Sequence, residues 1–373
     1  MKSFILKTLI TFIAMSCIGM AYASQFTVSK DPNRVAQYTN LQPAIDDAAN
    51  GDTILVYGAT TAYGNISVYK PIVLIGEGYN PNTNLVCNLG TVTISNFDGT
   101  LGASGTTIMG FDVGTITFQA YFSGATAAQR ILSDITLLRN VVDYIYFSDG
   151  STVDSLTNIN IINSILEVSV TFESYVYEDI EDVTFSNCIF NGYQINGSLT
   201  RSGGVLGSYQ DLSNVKVFNS LFLNYETGLL DQAVGMVFED NIFFGHELYV
   251  SDYAQITWNH NVFYLVDQAV SNLFTNDNVG ANNLISVDPQ FTNYPALPAA
   301  FSYSHDYRIQ AGSPALTASV GGGEVGIYGG AYPFAVGANP PVPQVTEITI
   351  QDGTSSVPVG GTINFNFKAQ SGN

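Results

Sequence analysis

Residues 215–222 read VKVFNSLF, and similar octets recur along the chain: ITLLRNVV (135–142), INIINSIL (159–166), VTFSNCIF (183–190), MVFEDNIF (236–243) and ITWNHNVF (256–263). The octets begin 24, 24, 32, 21 and 20 residues apart, and a degenerate seventh copy ends at residue 285. Each copy alternates apolar and polar residues before a polar pair, which is typical of a strand with one buried face. Asn tolerates a left-handed backbone, so the pair predicts a tight bend between two short strands.

A unit of this length without helical periodicity cannot bury its apolar face alone and must stack on its neighbours. Successive units then lie about 4.8 Å apart, and aligned positions form ladders. The alignment predicts an interior apolar ladder made of Val183, Val215 and Met236. It also predicts a polar ladder at the bend, made of Asn187, Asn219 and Asp240. The longest spacing places an inserted loop at Gly192 to Ser208.

Further motifs lie at both ends of the repeat. NLQPAIDDAANGDTILV (40–56) and KPIVLIGEG (70–78) precede it, and VDPQF (287–291), YRIQAGSPA (307–315) and EVGIYGG (324–330) follow it. Together these features resemble secreted bacterial right-handed parallel β-helix proteins of the pectin-lyase-like superfamily over residues 26–335. The resemblance implies an all-β solenoid that begins with a capping helix at 41–49 and ends with a closing segment. Another all-β array, a sandwich or a propeller, is the alternative.

The two ends of the chain differ from the repeat. Lys2 and Lys7 flank an apolar run that ends in Ala-Tyr-Ala, so residues 1–23 are predicted to be a signal peptide for secretion or surface display, with a membrane anchor as the alternative. We predict a β-helix domain at 24–336, a Pro-rich linker at 337–345 and the start of an immunoglobulin-like module at 346–373, which we expect to be truncated. No later stretch predicts a membrane span in the mature chain.

The charge of the chain restricts its partners. Without Lys2 and Lys7, 11 − 2 = 9 basic residues face 31 acidic ones, a net charge of 9 − 31 = −22. Nucleic acids and anionic membranes both favour clustered Lys and Arg, so neither is an expected partner. We expect a monomer whose partner is an extracellular polysaccharide or a cell-surface component. Cys87 and Cys188 are interpreted as free buried thiols.

A third aligned column follows the second strand of the octet and holds Tyr193, Tyr225 and His246. Exposed aromatic rings on a rigid face are surfaces on which sugar rings stack, so these residues are candidates for carbohydrate binding. Packing inside the solenoid or under a loop is the alternative. Arg139 is a further candidate because it stands in the bend column where other copies hold Asn. His260 also stands in that column and is interpreted as structural.

Acidic residues are densest between residues 173 and 182. The ladder register places Asp179 next to Asp211, and Asp182 next to Asn214. Oxygen ligands at this spacing suit Ca²⁺, so Glu178, Asp179, Asp182 and Asp211 are a candidate calcium site. Solvated turn residues that bond to the local backbone are the alternative.

Catalytic motifs are missing from the repeat. The Asn-Thr-Asp, Gly-His-Gly and Arg-Ile-Lys motifs of polygalacturonase-type β-helices do not occur, and the Asp46-Asp47 pair lies in the predicted helix. Three functions stay open. The protein is a non-catalytic binder of polysaccharide or an adhesin, a polysaccharide lyase or glycoside hydrolase that uses the acidic cluster, Asp211 or an Arg, or a purely structural segment of a large surface protein.

Overall fold

The protein is described from a computed structural model covering residues 23–82, 85–96, 102–119, 131–147, 155–172, 179–192, 194–196, 210–225, 230–231, 233–246, 250–251, 255–266, 273–275, 277–296, 298–335, 344–350 and 365–370. The chain forms an all-β parallel solenoid of about 8 turns, as the repeat predicts. The predicted signal peptide lies outside the described residues except for Ala23. No helix among the described residues combines the length and the apolar character that a bilayer crossing requires.

Two long parallel sheets form the walls of the solenoid. Sheet 1 consists, within the described ranges, of the strands Gln25–Val28, Thr53–Val56, Val73–Gly76, Thr107–Met109, Ile131–Leu138, Ser155–Ile162, Asp179–Ser186, Val215–Phe218, Val237–Glu239, Thr257–Asn259 and Val279–Ala281. Sheet 2 consists of Ile66–Val68, Asn88–Ser95, Asp112–Gln119, Val141–Tyr146, Ile165–Thr171, Ile189–Asn191, Leu221–Tyr225, Ile242–His246, Val262–Tyr264 and Leu284–Ile285, with Gln194–Asn196, Leu230–Asp231 and Val250–Ser251 as a branch. Each octet therefore contributes its first strand to sheet 1 and its second to sheet 2.

The interior follows the predicted ladders. Ile159 pairs with Val183, Val183 pairs with Val215, and all three are fully buried. On the inner face of sheet 2, Phe190, Phe222, Phe243 and Phe263 form one stack with ring centroids 4.3, 4.4 and 4.9 Å apart. These aromatic residues fill the tube from one coil to the next, so each coil buries its apolar face against its neighbours.

The bend between the two sheets is left-handed, as the Asn residues predict. The first residue of the polar pair has a positive φ in every copy, namely 54° at Arg139, 52° at Asn163, 54° at Asn187, 45° at Asn219, 60° at Asp240, 55° at His260 and 55° at Asn282. Asn and Asp tolerate this conformation because their short side chains bond locally. We call these first residues the outer bend column and the residues that follow them the inner bend column.

A helix precedes the second strand of the chain. It spans Leu41–Asp47, and Leu41, Ala44 and Ile45 are buried at the i, i+3, i+4 spacing of an amphipathic helix. The helix ends earlier than residue 49 because Ala48 is extended and the buried Asp52 carboxylate accepts the Ala49 N–H at 2.8 Å.

The region predicted as a loop at Gly192 to Ser208 is partly regular. Gln194–Asn196 is a strand that pairs with Ser169–Thr171 and with Leu230–Asp231, because Ile195 between two polar residues is fully buried. The prediction of a continuous loop is wrong at these residues. Residues 197–209 lie outside the described part of the chain.

The chain after the solenoid contains two antiparallel pairs. Phe291–Asn293 pairs with Asp306–Ile309, and a 3-10 helix at Pro314–Thr317 follows. Gln344–Ile350 pairs with Phe365–Gln370. The first of these later strands takes in the last two residues of the predicted linker, and residues 336–343 lie outside the described residues.

Gln210–Asp211 pairs with Ala233–Val234 in a separate two-stranded parallel sheet.

Cys87 and Cys188 are free and buried, as predicted. Burial raises the pKa of each thiol to about 12, so both stay protonated at neutral pH.

Candidate functional site

Sheet 2 carries an apolar column on its outer face, directly after the bend. Neighbouring coils align these residues with one another, and each is less than a tenth exposed: Val141, Ile165, Ile189, Leu221, Ile242 and Val262. The residue after each of them points into the tube, because successive strand residues face opposite sides. The column is therefore buried from outside, in one apolar cluster with residues of the C-terminal part of the chain that include Phe291, Tyr307, Val325, Ile327 and Phe334.

The outer bend column binds this C-terminal chain. Residues 318–335, which we call the return segment, run back across five coils. His260 Nδ1 bonds with the Ala318 carbonyl at 2.7 Å, and Asp240 Oδ1 accepts the Val320 N–H at 2.9 Å. Asn187 Nδ2 donates to the carbonyls of Ile327 and Gly329 at 2.9 and 2.8 Å.

The return segment ends beside the coil of Asn163. Asn163 Nδ2 donates to the Tyr332 carbonyl at 2.7 Å, and Asn163 Oδ1 accepts the Ala335 N–H at 2.9 Å. Gly330 approaches Asn219 so closely that a Cβ atom would lie 2.3 Å from Asn219 Oδ1, and its φ is 68°. A residue with a Cβ atom would force the Asn219 side chain to shift, and the left-handed backbone also favours glycine here. The outer bend column therefore both forms the turn and binds the return segment.

A cleft of about 250 Å³ opens where the last coils of sheet 2 meet the pair of strands at 291–309. Four aromatic residues line it, namely Phe244, Tyr264, Phe291 and Tyr294. Edge-to-face contacts hold the rings: the Phe244 centroid lies 5.2 Å from Tyr264 and 4.8 Å from Tyr294. Phe244 and Phe291 are buried and form the floor, while Tyr264 and Tyr294 are partly exposed.

Polar groups complete the wall of the cleft at Asp288, Gln290 and Gln310. Asp288 Oδ1 accepts the Gln290 N–H at 2.7 Å, and Gln310 Nε2 donates to the Phe291 carbonyl at 2.8 Å. Tyr264 stands close to the Asp288 carboxylate, and desolvation together with that negative charge raises the pKa of the Tyr264 hydroxyl. The Tyr294 hydroxyl is fixed by Ala299, from whose N–H it accepts at 2.8 Å.

The cleft thus combines apolar ring surface with fixed hydrogen-bonding groups, and none of its lining residues is Lys, Arg or His. This combination suits an uncharged polar ligand with apolar C–H faces. The repeat pattern does not indicate this cleft, because its lining residues come from four separate stretches of chain: Phe244, Tyr264, residues 288–296 and Gln310. The VDPQF motif was the signal at hand, since it contains Asp288, Gln290 and Phe291.

The predicted aromatic column is described at two of its three positions. Tyr225 and His246 are ladder partners on neighbouring strands of sheet 2, which places their backbones in one column. Tyr193 lies outside the described residues. His246 follows Phe244 of the cleft by two residues on the strand Ile242–His246.

Arg139 does not join that column. It belongs to the coil three repeats before that of Tyr225, which is about 14 Å along the axis at about 4.8 Å per coil. Arg139 is partly buried beside Tyr79, and desolvation lowers the pKa of its guanidinium. It is the next position of the outer bend column after Asn163, where the return segment ends.

The candidate calcium residues are only partly described. Glu178 lies outside the described residues, and only the backbone is described for Asp179 and Asp211. Asp179 pairs with Ser155 and Asp211 pairs with Val234, while the pairing of Val183 with Val215 keeps the offset of 32 residues on which the predicted stacking of the two aspartates depends. The calcium site stays a prediction.

Asp182 occupies a second left-handed column, just before the buried part of the sheet 1 strand. Its φ is 54°, and Asn158 and Asp134 take the same position on the preceding coils. Asn158 Nδ2 donates to Asp134 Oδ1 at 2.6 Å, and this bond lowers the pKa of Asp134. In the part of the chain that is described, no group of three or more His, Cys, Asp or Glu residues is placed to hold a metal ion.

An acidic cluster that the sequence did not indicate lies on the outer face of sheet 2. Asp112, Asp143 and Glu167 come from three neighbouring strands. Desolvation raises the pKa of all three carboxyl groups, and mutual repulsion raises those of Asp112 and Glu167 further. The Glu167 side chain is exposed although its carboxyl group is partly desolvated. Tyr303 lies near the cluster: burial raises the pKa of its hydroxyl most, and the charges of Asp112 and Glu167 raise it further.

Comparison with known proteins adds no family to this geometry: no protein-family model matches the chain, and no curated protein is significantly similar to it.

Proposed function

We propose that this protein is an exported or cell-surface β-helix that binds extracellular polysaccharide without cleaving it. The observation that carries the proposal is the aromatic cleft between sheet 2 and the strands at 291–309. Sugar rings pack their C–H faces on aromatic side chains, while amide and carboxylate groups bond to their hydroxyls. The backbones of Tyr225 and His246 lie in one column on neighbouring strands of sheet 2, and the proposal assigns both residues to the same binding function.

The proposal includes further predictions from the sequence. The solenoid belongs to the pectin-lyase-like superfamily and is right-handed, the helix Leu41–Asp47 caps its first coil, and the signal peptide exports it. The strands at 344–350 and 365–370 belong to an immunoglobulin-like module. Rigid stacked coils suit a binding surface, because bound side chains lose little backbone freedom.

A glycoside hydrolase is the second candidate, favoured by the cluster of Asp112, Asp143 and Glu167. Hydrolysis of a glycosidic bond uses a pair of carboxyl groups, of which the acid has a raised pKa. The direction of the shift at Glu167 agrees with that requirement.

A binding panel of neutral and acidic polysaccharides tests both candidates. Binding and the release of reducing or unsaturated ends are scored together, on the wild type, Tyr264→Ala and Tyr332→Ala. Tyr332 is the matched control because its ring is 53% exposed on the return segment and does not line the cleft. We expect binding without product that Tyr264→Ala weakens and Tyr332→Ala does not.

The other outcomes separate the alternatives. New reducing ends without unsaturated ends, lost in Glu167→Gln, would establish the hydrolase instead, whereas unsaturated ends would establish a lyase. No binding and no product would favour a purely structural segment of a surface protein.

A further inference from the structure

The charge of the cleft decides which sugars it accepts, and this point rests on the proposed function. We infer that the cleft selects an uncharged sugar ring over the corresponding uronic acid, and that Asp288 is the residue that determines this specificity.

One hydrogen bond holds Asp288 in the wall of the cleft. The backbone N–H of Gln290 donates to Oδ1 at 2.7 Å, and Tyr264 stands close enough that, after desolvation, the negative charge of Asp288 raises the pKa of its hydroxyl further. The carboxylate is therefore held beside the Tyr264 ring. It accepts hydrogen bonds from sugar hydroxyls and repels a second carboxylate at the same distance.

Among the described residues that line the cleft there is no Lys, Arg or His, so none of them compensates that negative charge. The other polar residues of the lining are Gln290 and Gln310, whose side chains are neutral, and Tyr264 and Tyr294, which burial keeps protonated by raising the pKa. A uronate or sulfated sugar would bring its own charge beside Asp288 without a cation to pair with. The strongly acidic chain adds to the repulsion over longer distances.

The size of the cleft limits the ligand further. Its 250 Å³ lies below the about 300–1,000 Å³ of sites for drug-sized molecules, so it holds about one sugar ring. Pro295 and Ala296 form part of the wall and leave the partly exposed rings of Tyr264 and Tyr294 as the stacking surfaces. One ring of a glycan chain therefore fits in the cleft, and in so small a space a carboxylate at C6 of that ring would lie near Asp288.

Matched oligosaccharides test the inference. Calorimetry measures the binding of β-linked hexasaccharides of glucose, mannose and galactose, and of the same compounds oxidised at C6 to uronates. The wild type is expected to prefer the neutral form by at least about tenfold, since a like charge at contact distance costs about 1 kcal/mol even in bulk water and more in a cleft. High salt should reduce the preference.

Two variants locate the effect. Asp288→Asn should lower the ratio of neutral to uronate affinity by about tenfold, because the amide preserves the acceptor and removes the charge. Asp277→Asn is the control, since it removes one exposed charge in the last coil outside the cleft. It should leave the ratio unchanged.

The failures are distinguishable. If no hexasaccharide of either form binds, and no member of the polysaccharide panel binds, the proposed function itself is wrong. If sugars bind but the uronates bind as well as the neutral forms, or if Asp288→Asn and Asp277→Asn change the ratio equally, the function stands and the assignment of specificity to Asp288 is overturned.

Discussion

The outer and inner columns of the bend are adjacent in sequence and use the same amide side chain differently. Asn187 in the outer column is 1% exposed and donates to carbonyls of the return segment, 140 and 142 residues away. Asn241 in the inner column is fully buried and bonds to the coils directly above and below. The outer column attaches the tail to the solenoid, whereas the inner column holds the coils together.

The largest effect is expected in the inner column. Asn241→Ala removes the acceptor of the Ser220 N–H and the donor to the Val217 carbonyl, both inside the tube. Each buried group left unpaired costs about 1–3 kcal/mol, so the free energy of unfolding should fall by about 3 kcal/mol or more. Urea denaturation followed by circular dichroism measures the loss.

The matched control for that change is Asn283→Ala. Asn283 makes equivalent bonds to Asn261 and Trp258 but is partly exposed and lies next to the last strand of sheet 2. Water can replace its bonds, so its loss should be less than half as large. Equal losses would show that the inner column does not act by satisfying buried groups.

The next largest effect concerns Asn187. Asn187→Gly keeps the left-handed bend and removes the two bonds to the return segment, at a cost of about 1–2 kcal/mol. Asn187→Ala adds about 1–2 kcal/mol of backbone strain at φ 54°. Hydrogen exchange should show faster exchange in residues 325–335 for both variants, while the strands at 183–190 keep their protection in Asn187→Gly. Unchanged exchange in the return segment would contradict the docking role.

A smaller effect should depend on pH and be confined to the outer face of the solenoid. The folded-state pKa of Asp112, Asp143 and Glu167 is raised above the ordinary values of 3.8 and 4.5. The protonated carboxyl groups therefore add to the free energy of unfolding. This contribution is fully present below the ordinary pKa values and is lost as the pH rises through the folded-state pKa values.

A triple variant measures that contribution. Asp112→Asn, Asp143→Asn and Glu167→Gln together should flatten the fall in melting temperature as the pH rises above the ordinary values of 3.8 and 4.5. The buried amides of the inner column do not titrate, so Asn241→Ala should keep the wild-type slope. Parallel curves for the wild type and the triple variant would rule out the cluster as the cause.

The smallest effect is expected at His260. It stands in the outer bend column. Its Nδ1 forms a hydrogen bond with the Ala318 carbonyl, and its Nε2 forms one with the Asn282 side chain. Asn is the common residue of that column and tolerates φ 55°, so His260→Asn should change the free energy of unfolding by less than about 1 kcal/mol. Sugar binding should not change. A large loss of binding would assign His260 a role beyond docking.

Much of the fold was predictable from local pattern. The octets predicted strand, left-handed bend and strand, and the ladder of Val183, Val215 and Met236 is buried as expected. The boundaries were less accurate. The helix ends at Asp47 because Asp52 binds the Ala49 N–H, and Gln194–Asn196 is a strand because its one apolar residue is buried.

The candidate site was much less predictable. Aligned repeats place Tyr225 beside His246 correctly, but they contain no information on where the chain after the repeats returns. The octets did contain one unused signal. Two consecutive apolar residues follow each polar pair, as at Leu221 and Phe222, and a strand cannot turn both into the tube. The outward one required a cover, which the return segment supplies.

The sequence by itself determined the stacked solenoid, because a repeat of about 20–24 residues buries its apolar face only against identical neighbours. It also determined the left-handed bend, since Asn and Asp adopt that backbone at low cost. The tertiary structure alone decided which bend side chains bind the return segment and that Phe244, Tyr264, Asp288 and Tyr294 share one cleft. The contacts of the return segment join residues up to 172 positions apart, and no local pattern encodes such contacts.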